Sequence, residues 1–172
     1  MRLYFAVFYF CLLSSMTLTP LAGTRAQMPA NSQDMAEVRH WLDDLNEAFA
    51  ANNLDAARAL YSPEFIVAYD VPGPLQYVGR DAYLKLWGAI LAKRQAPAHW
   101  EWRDVHISTS GDLAVIACLF RTVSVNPQGG AVEGSWGRFT SVLRKQDGRW
   151  LGIHDHVSIP IEAGKALLDL KP

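Results

Sequence analysis

The sequence predicts an α+β fold in which three N-terminal helices pack against a curved antiparallel sheet and close a cone-shaped cavity. Apolar residues recur at helical spacing through the first half of the chain. From residue 99 onward the apolar period changes to two, and turn pairs such as Asp147-Gly148 separate the runs. Helices that precede a meander of strands are typical of α+β domains.

The first half of the chain carries three predicted helices and one strand. The first helix spans residues 34–51, the second spans residues 54–61, and the third begins at residues 79–81. A strand at residues 65–69 lies between the second helix and the third. The apolar stripes of the first and third helices consist of Val38, Trp41, Leu42, Leu45, Ala48 and Phe49, and of Tyr83, Leu84, Trp87, Ile90 and Leu91.

Four longer strands complete the predicted fold, and glycines provide points where the sheet can bend. Twisted antiparallel strands that bend leave a hollow, which the first and third helices would cover. We expect bends at Gly134, Gly137 and Gly152, and a terminal helical turn at residues 162–168. The four strands occupy residues 99–108, 113–125, 132–145 and 149–159.

Residues 1–26 have the composition of a secretory signal peptide. A positively charged start precedes an apolar stretch, residues 3–13, that is too short to cross a bilayer, which disfavours a retained anchor. We therefore expect cleavage after Ala26, a secreted or periplasmic location, and no membrane attachment after cleavage. A short polar leader at residues 27–33 and a single domain at residues 34–172 follow.

Charge and cysteine content limit the partners and the sources of stability. Residues 1–26 hold two of the 16 basic residues and none of the 17 acidic residues, so the net charge of the remainder is 14 − 17 = −3. No cluster of basic residues is present, so we expect no nucleic-acid partner. Cys118 is the one cysteine after residue 26, so the fold must depend on its core or on a partner subunit.

The last strand places one acid among aliphatic side chains. Because neighbours along a strand point to opposite faces, Asp155 shares its face with aliphatic residues. Such surroundings disfavour the charged carboxylate and raise its pKa, which is how an apolar cavity produces a general acid or base. The alternative is a structural ion pair with Arg121 or Arg138. The aliphatic residues of this face are Leu151, Ile153, Val157 and Ile159.

The opposite face of the same strand carries two histidines. His154 and His156 could bind a metal ion together with His106, but no further ligand has a recognisable spacing, so we expect no metal and no other cofactor. With Trp136 and Trp150 they form an outward face of the kind found in subunit contacts. We therefore predict a homodimer that forms through the outer face of the sheet.

Further positions are candidates for a ligand site, each with a structural alternative. Asp70 is either a general base at the cavity mouth or a turn residue that bonds its own backbone. Arg121 lies in an otherwise apolar strand and either clamps an anionic group in the pocket or pairs with Asp155. Aromatic residues serve both cores and cavities. We expect five of the aromatic residues to be mainly structural, and we assign the first three of them to the ligand site as well: Trp41, Tyr69, Trp87, Tyr83 and Trp102.

Three segments carry a resemblance to a known family: Tyr77-Val78-Gly79-Arg80-Asp81-Ala82, Asp147-Gly148-Arg149-Trp150 and His154-Asp155-His156-Val157-Ser158. In their order and spacing they resemble the nuclear transport factor 2-like (NTF2-like) superfamily, in particular its SnoaL-like and ketosteroid-isomerase-like branch. The resemblance covers residues 35–161 and implies a cystatin-like α+β roll, frequent dimers and a pocket for a small hydrophobic molecule. It implies no single activity, because isomerases, dehydratases, cyclases and binding domains share the fold.

Ketosteroid isomerases imply a more detailed set of residues, which this chain matches in part. The segment from Tyr69 to Gly73 resembles their general-base segment, one residue out of step, with Asp70 as the acid. Leu45 stands where they have a tyrosine that donates a hydrogen bond to the developing oxyanion. Residues 135–146 contain no counterpart of their second, protonated acid.

The last strand also resembles the association domain of calcium/calmodulin-dependent kinases, which ends in a His-x-His-x-Ser strand. Arg121 matches one of the pocket arginines of that domain, whereas Ser141 and Val157 fall where two others stand. This resemblance implies a polar pocket that includes these three positions.

Together, these observations predict an exported domain that binds a small molecule in a hydrophobic pocket. The first hypothesis is an isomerase- or lyase-type enzyme that uses Asp155 or Asp70 to move a proton. The alternative is a non-catalytic ligand-binding or dimerisation module. A hydrogen-bond donor such as Tyr61 or Tyr69 beside Asp155 would favour the enzyme.

Overall fold

The computed structural model describes residues 32–71, 73–94, 97–126 and 128–160. The predicted signal peptide, its cleavage after Ala26 and the predicted helical turn at residues 162–168 lie outside these ranges. Most of the predicted leader also lies outside them, although its last two residues, Ser32 and Gln33, already belong to the first helix.

Three helices form one layer of the molecule: α1 (Ser32–Ala50), α2 (Leu54–Ala59) and α3 (Arg80–Lys93). The side chain of Asn53 caps α2 by accepting a hydrogen bond from the backbone N–H of Ala56. Gly79 precedes α3 with a φ of 82°, a left-handed conformation that glycine adopts without steric cost. The three predicted helices are confirmed, with the predicted ends differing from the observed ones by at most two residues.

Seven strands form one sheet whose order is β2-β1-β7-β6-β4-β3, and β5 pairs with β4 beside this path. Neighbouring strands are antiparallel, except that β1 and β7 run parallel. One strand prediction is wrong, because the strand expected at residues 132–145 divides into β5 and β6. The short strand β2 was not predicted. The strands are β1 (Val67–Tyr69), β2 (Tyr77–Val78), β3 (Ala98–Ser110), β4 (Leu113–Val125), β5 (Ala131–Glu133), β6 (Gly137–Gln146) and β7 (Arg149–Ser158).

Two of the glycines expected at bends, Gly134 and Gly137, lie in and directly after the break between β5 and β6. A Cβ atom on Gly137 would lie 2.5 Å from Cε1 of Phe120, so no larger side chain fits where β6 begins. The backbone N–H of Gly134 donates to the carbonyl of Thr122 on β4, which holds the break against the sheet. Gly134 and Ser135 therefore lie beside the sheet's inner surface, where they contribute to the site described below.

A β-bulge in β7 lies at the third predicted bend. Val142 pairs with His154, whereas the next residue of β6, Leu143, pairs with Gly152, so Ile153 is the extra residue. A Cβ atom on Gly152 would lie 2.8 Å from Cδ1 of Tyr61, which explains a glycine at this position.

The bulge changes which side chains of β7 face the helices. Trp150 is buried and its indole N–H donates to Glu37 on α1, so it lies on the inner side, as Asp155 does. The prediction that Trp150 belongs to the outer face is therefore wrong, as is the prediction that Leu151 shares the face of Asp155. An unbroken alternation was assumed, and one inserted residue reverses it.

The core lies between α1, α3 and the inner face of the sheet. The stripes predicted for α1 and α3 are buried there, with the exception of Ile90, which is exposed. The architecture is thus a mixed α+β fold with an open, curved sheet, as predicted from the sequence. Within the described ranges, none of the helices is long and apolar enough to cross a membrane.

Candidate functional site

A cavity of about 420 Å³ lies between the helices and the inner face of the sheet. Its walls come from α1, α3, the end of β1 and the inner faces of β3, β4, β6 and β7. Most of the lining is aromatic or aliphatic: Phe49, Val71, Tyr83, Trp87, Ile90, Leu91, Trp100, Trp102, Phe120, Phe139, Val157 and Ile159.

The aromatic side chains of the lining contact one another and form a continuous wall. Phe49 stacks on Trp100 with ring centroids 4.1 Å apart, and Trp87 meets Trp100 edge-on at 5.2 Å. Trp102 continues the wall towards Phe139, at 5.6 Å. Rings packed in this way present flat, apolar surfaces to a ligand.

Asp70 is the one charged side chain among the described residues that line this cavity. Tyr83, Thr122 and Ser135 add hydroxyl groups to the lining. Asp70 follows β1 directly, and the parallel pairing of β1 with β7 brings the end of that strand to the cavity. The cavity is therefore mainly apolar, with a single negatively charged side chain at its edge.

The two carboxylate oxygens of Asp70 each accept one hydrogen bond. The backbone N–H of Val71 donates to Oδ1 at 2.6 Å, and the hydroxyl of Tyr83 donates to Oδ2 at 3.1 Å. Burial raises the pKa of Asp70 to about 6, an effect that these two bonds partly oppose. The turn-like bond to its own neighbour and the position in the cavity are therefore both present, so the two interpretations of Asp70 do not exclude each other.

Asp155 lies deeper, behind the cavity rather than in its lining. It is fully buried, and the hydroxyl of Tyr61 donates to its Oδ2 at 2.6 Å. Burial raises the pKa of Asp155 to about 7, while the bond from Tyr61 lowers it. The side chain of Asp155 points inward, as predicted from the sequence. It does not line the cavity, however, so the prediction that it lies in the ligand site is corrected.

Arg121 does not reach the cavity, nor does it pair with Asp155. Phe120 and Thr122 line the cavity, so the residue between them points to the outer face of the sheet. There the guanidinium bonds Glu101 and Glu133. Both alternatives considered for Arg121 are therefore corrected: it ties β3 and β5 to β4.

Three more residues assigned to the ligand site lie elsewhere. Tyr69 is 41% exposed on the outer face, where its ring contacts His154 and His156. Trp41 is buried in the core and its indole N–H donates to the carbonyl of Leu60. Ser141 is fully buried beside Asp155 in the β6–β7 pairing and is not part of the lining. Trp87 and Val157 do line the cavity.

Of the two histidines of β7, His154 bonds the neighbouring strand and His156 is exposed. Nδ1 of His154 lies 2.7 Å from the carbonyl oxygen of Val67 on β1. Among the described residues, no group of three or more His, Cys, Asp or Glu side chains is placed to hold a metal ion. Burial raises the pKa of the Cys118 thiol to about 12, so it is not a reactive thiolate near neutral pH.

The sequence interpretation missed the role of Tyr83 and most of the aromatic wall. The helical spacing of Tyr83 predicts its place in the buried stripe of α3, but it does not indicate the hydrogen bond to Asp70. The sequence does contain a pattern that predicts this wall. Trp100 and Trp102 are two residues apart on β3, as Phe120 and Thr122 are on β4, so the members of each pair point to the same face of the sheet.

A comparison with protein families matches residues 38–162 to the SnoaL-like domain. The chain belongs to the SnoaL-like domain family. It is thereby placed in the NTF2-like superfamily, as its sequence segments predicted. No curated protein matches the chain.

Solved structures of NTF2-like proteins share this fold. An NTF2-like protein of unknown function from Pseudomonas putida is 28% identical, with a TM-score of 0.70 over 83% of this chain and 99% of that one. A proposed dehydratase of the NTF2-like family from Streptomyces avermitilis is 21% identical, with a TM-score of 0.68 over 77% and 100%. A proposed calcium/calmodulin-dependent protein kinase II association domain from Xanthomonas campestris is 25% identical, with a TM-score of 0.58 over 72% and 86%.

Proposed function

We propose that this SnoaL-like protein is an exported enzyme of isomerase or lyase type that moves a proton in an uncharged, hydrophobic small molecule. The observation that carries the proposal is Asp70, a carboxylate at the edge of an aromatic cavity that is held by Tyr83. With its pKa raised to about 6, Asp70 is mostly ionised at neutral pH and accepts a proton more readily than a solvated aspartate.

The charge of the lining supports an uncharged substrate. Among the described lining residues there is no Lys, Arg or His that could balance an anionic group. A negative ligand would also meet the carboxylate of Asp70 in apolar surroundings, where repulsion is stronger than in water. Flat rings, by contrast, would pack against the wall formed by Phe49, Trp87 and Trp100.

The geometry of Asp70 leaves room for a proton. Each carboxylate oxygen has two lone pairs, and each accepts one hydrogen bond here. Asp70 would take a proton from a carbon next to a carbonyl group, while the bonds from Val71 and Tyr83 hold its carboxylate in place. Return of that proton to another carbon gives an isomerase, and its delivery to a leaving group gives a lyase.

A direct test uses 2-tetralone, an uncharged aromatic ketone with acidic C–H groups, and follows its exchange with deuterium in D₂O by NMR. We expect the protein to accelerate this exchange. Asp70→Asn should lower the accelerated rate by about 100- to 10,000-fold, the usual contribution of a general base. A carboxylated tetralone should exchange no faster than in buffer.

Asp104→Asn is the matched control, because it makes the same change at an exposed position in the bulge of β3 that does not line the cavity. Asn also tolerates the positive φ of 52° at that position. An unchanged exchange rate in Asp70→Asn, or the same loss in Asp104→Asn, would contradict the proposal.

A second candidate function, ligand binding without turnover, is favoured by one observation. Leu45, at the position where ketosteroid isomerases have an oxyanion donor, is fully buried in the core and cannot donate a hydrogen bond. For a binding module we expect 2-tetralone to bind, no exchange above background, and an affinity that Asp70→Asn leaves within a few-fold. Calorimetric titration beside the exchange assay separates the two functions.

Export and dimerisation belong to the same proposal. The charge and length of residues 1–26 support export, and the exposed side chains of Tyr69, Leu113 and Val115 support a homodimer through the outer sheet face. N-terminal sequencing of the extracytoplasmic protein should begin at Gln27. Light scattering should give twice the mass of one chain; an uncleaved or monomeric protein would remove this part of the proposal.

A further inference from the structure

The oxygen-bearing side chains of the cavity lining lie on two opposite sides of it. Asp70 and Tyr83 occupy the side formed by β1 and α3, where they are bonded to each other. Thr122 on β4 and Ser135, in the break between β5 and β6, line the other side. These two lie close together, because the backbone N–H of Gly134, the neighbour of Ser135, donates to the carbonyl of Thr122.

The strand order keeps these two sides far apart. Val157 of β7 and Phe139 of β6, which are both apolar, stand between Asp70 and β4. Three strand spacings, about 14 Å, separate Asp70 from β4 across the sheet. Along β4, Thr122 lies four residues beyond Cys118, the partner of Phe139, which adds about 13 Å on the sheet surface. A molecule that contacts Asp70 and Thr122 together must therefore be elongated, even though the curvature of the sheet shortens the path between them.

A further polar group on the side of Thr122 is the indole N–H of Trp102. Trp102 lines the cavity from β3, where it pairs with Phe120 of β4. Its Nε1 is buried, and no acceptor for it is present among the described residues. A buried donor without an acceptor costs free energy, and an oxygen atom that a ligand brings next to it would remove that cost. This side of the cavity therefore favours a ligand that carries an oxygen atom there.

We propose that the substrate is an elongated, uncharged molecule with an oxygen-bearing group at each end, of which the far one is bonded by the hydroxyl of Thr122. The inference rests on the proposed function for the near end, where the carbonyl group lies next to the carbon that gives its proton to Asp70. A hydroxyl both donates and accepts hydrogen bonds, so Thr122 can hold a hydroxyl or a carbonyl group. The apolar middle of the molecule lies along Phe139 and Val157.

The test compares two ketones that differ by one hydroxyl group, 6-phenyl-2-tetralone and 6-(4-hydroxyphenyl)-2-tetralone. Calorimetric titration of the intact protein measures the affinity for each ketone, whether or not it is turned over. We expect the hydroxylated ketone to bind about 3- to 10-fold more tightly, the usual net effect of one hydrogen bond. Thr122→Val, which replaces the hydroxyl by a methyl group, should remove this preference. The variant should still bind 6-phenyl-2-tetralone as the wild type does, which shows that its cavity is intact.

Thr140→Val is the matched control. Thr140 lies on β6 between the inward-facing Phe139 and Ser141, so its side chain points to the outer face of the sheet, and this variant should keep the wild-type preference. Equal affinities of the wild type for the two ketones, no binding of the hydroxylated one, or a preference that Thr122→Val leaves unchanged would overturn the inference, even if Asp70 proves to drive proton exchange. A preference that depends on Thr122 in a protein without exchange activity would support the inference and contradict the proposed function.

Discussion

At the scale of single residues, the site depends on how closely Gly152 approaches Tyr61. A Cβ atom at Gly152 would lie 2.8 Å from one ring carbon of Tyr61, 2.9 Å from another and 3.1 Å from Trp41. Because Tyr61 is fully buried and holds Asp155, its ring cannot move aside without disturbing that hydrogen bond. The glycine therefore links the bulge of β7 to the buried carboxyl group.

Gly152→Ala should destabilise the protein by about 1–3 kcal/mol, the usual cost of inserting a methyl group into a packed core. Urea unfolding monitored by fluorescence measures the difference. Gly88→Ala on α3 is the matched control, because its added Cβ would lie at an ordinary distance of 3.4 Å from Leu54. In a helix that change should be neutral or stabilising by up to about 1 kcal/mol. Equal effects of the two substitutions would refute this account of Gly152.

At the scale of elements, α1 is anchored to the sheet through Lys145. Its ammonium group bonds Asp34 at 2.7 Å and Glu37 at 2.8 Å, and Trp150 donates to the same glutamate. These contacts fix the N-terminal part of α1 against β6 and β7, whereas its other end contributes Phe49 to the cavity wall.

Lys145→Met should lower the free energy of unfolding more than Lys85→Met, an exposed position on α3. The bond from Lys145 lowers the pKa of Glu37 below its usual 4.5. The stabilisation that this bond gives to the fold is therefore fully present above that pH, and it is lost as the pH falls through the pKa of Glu37 in the folded protein. The difference in free energy of unfolding between wild type and Lys145→Met should therefore become smaller as unfolding is measured from pH 6 to pH 3. A difference that stays constant over this range would contradict the anchoring role.

At the scale of the whole molecule, the sequence was sufficient for the layers but not for the site. The stripes of α1 and α3 and the limits of β4 follow from periodicity, because burial of one face imposes it. The outward orientation of Arg121 could not be predicted, because apolar residues occupy both faces of β4 and the strand shows no clear alternation around it. The contact of Tyr83 with Asp70 depends on how α3 crosses the sheet, and the inward turn of Trp150 depends on one inserted residue.

The buried carboxyl group of Asp155 should make the whole fold less stable as the pH rises. The pKa of Asp155 is raised from 3.8 to about 7, so between these values the native state binds a proton that the unfolded chain releases. The free energy of unfolding should fall over this interval, on the order of 4 kcal/mol for this group. The free energy of unfolding, measured by chemical denaturation at a series of pH values, should change less with pH in Asp155→Asn than in the wild type. The same pH dependence in the two proteins would show that this raised pKa is absent.

The central claim is that the carboxylate of Asp70 meets the ligand inside the aromatic cavity. A crystal structure of the protein soaked with 2-tetralone tests it most directly. We expect the ketone inside the cavity, with a carbon next to its carbonyl group about 3–3.5 Å from an oxygen of Asp70, the separation of a reacting pair. A ketone bound on the outer face of the sheet, or one in the cavity with those carbons turned away from Asp70, would contradict the claim.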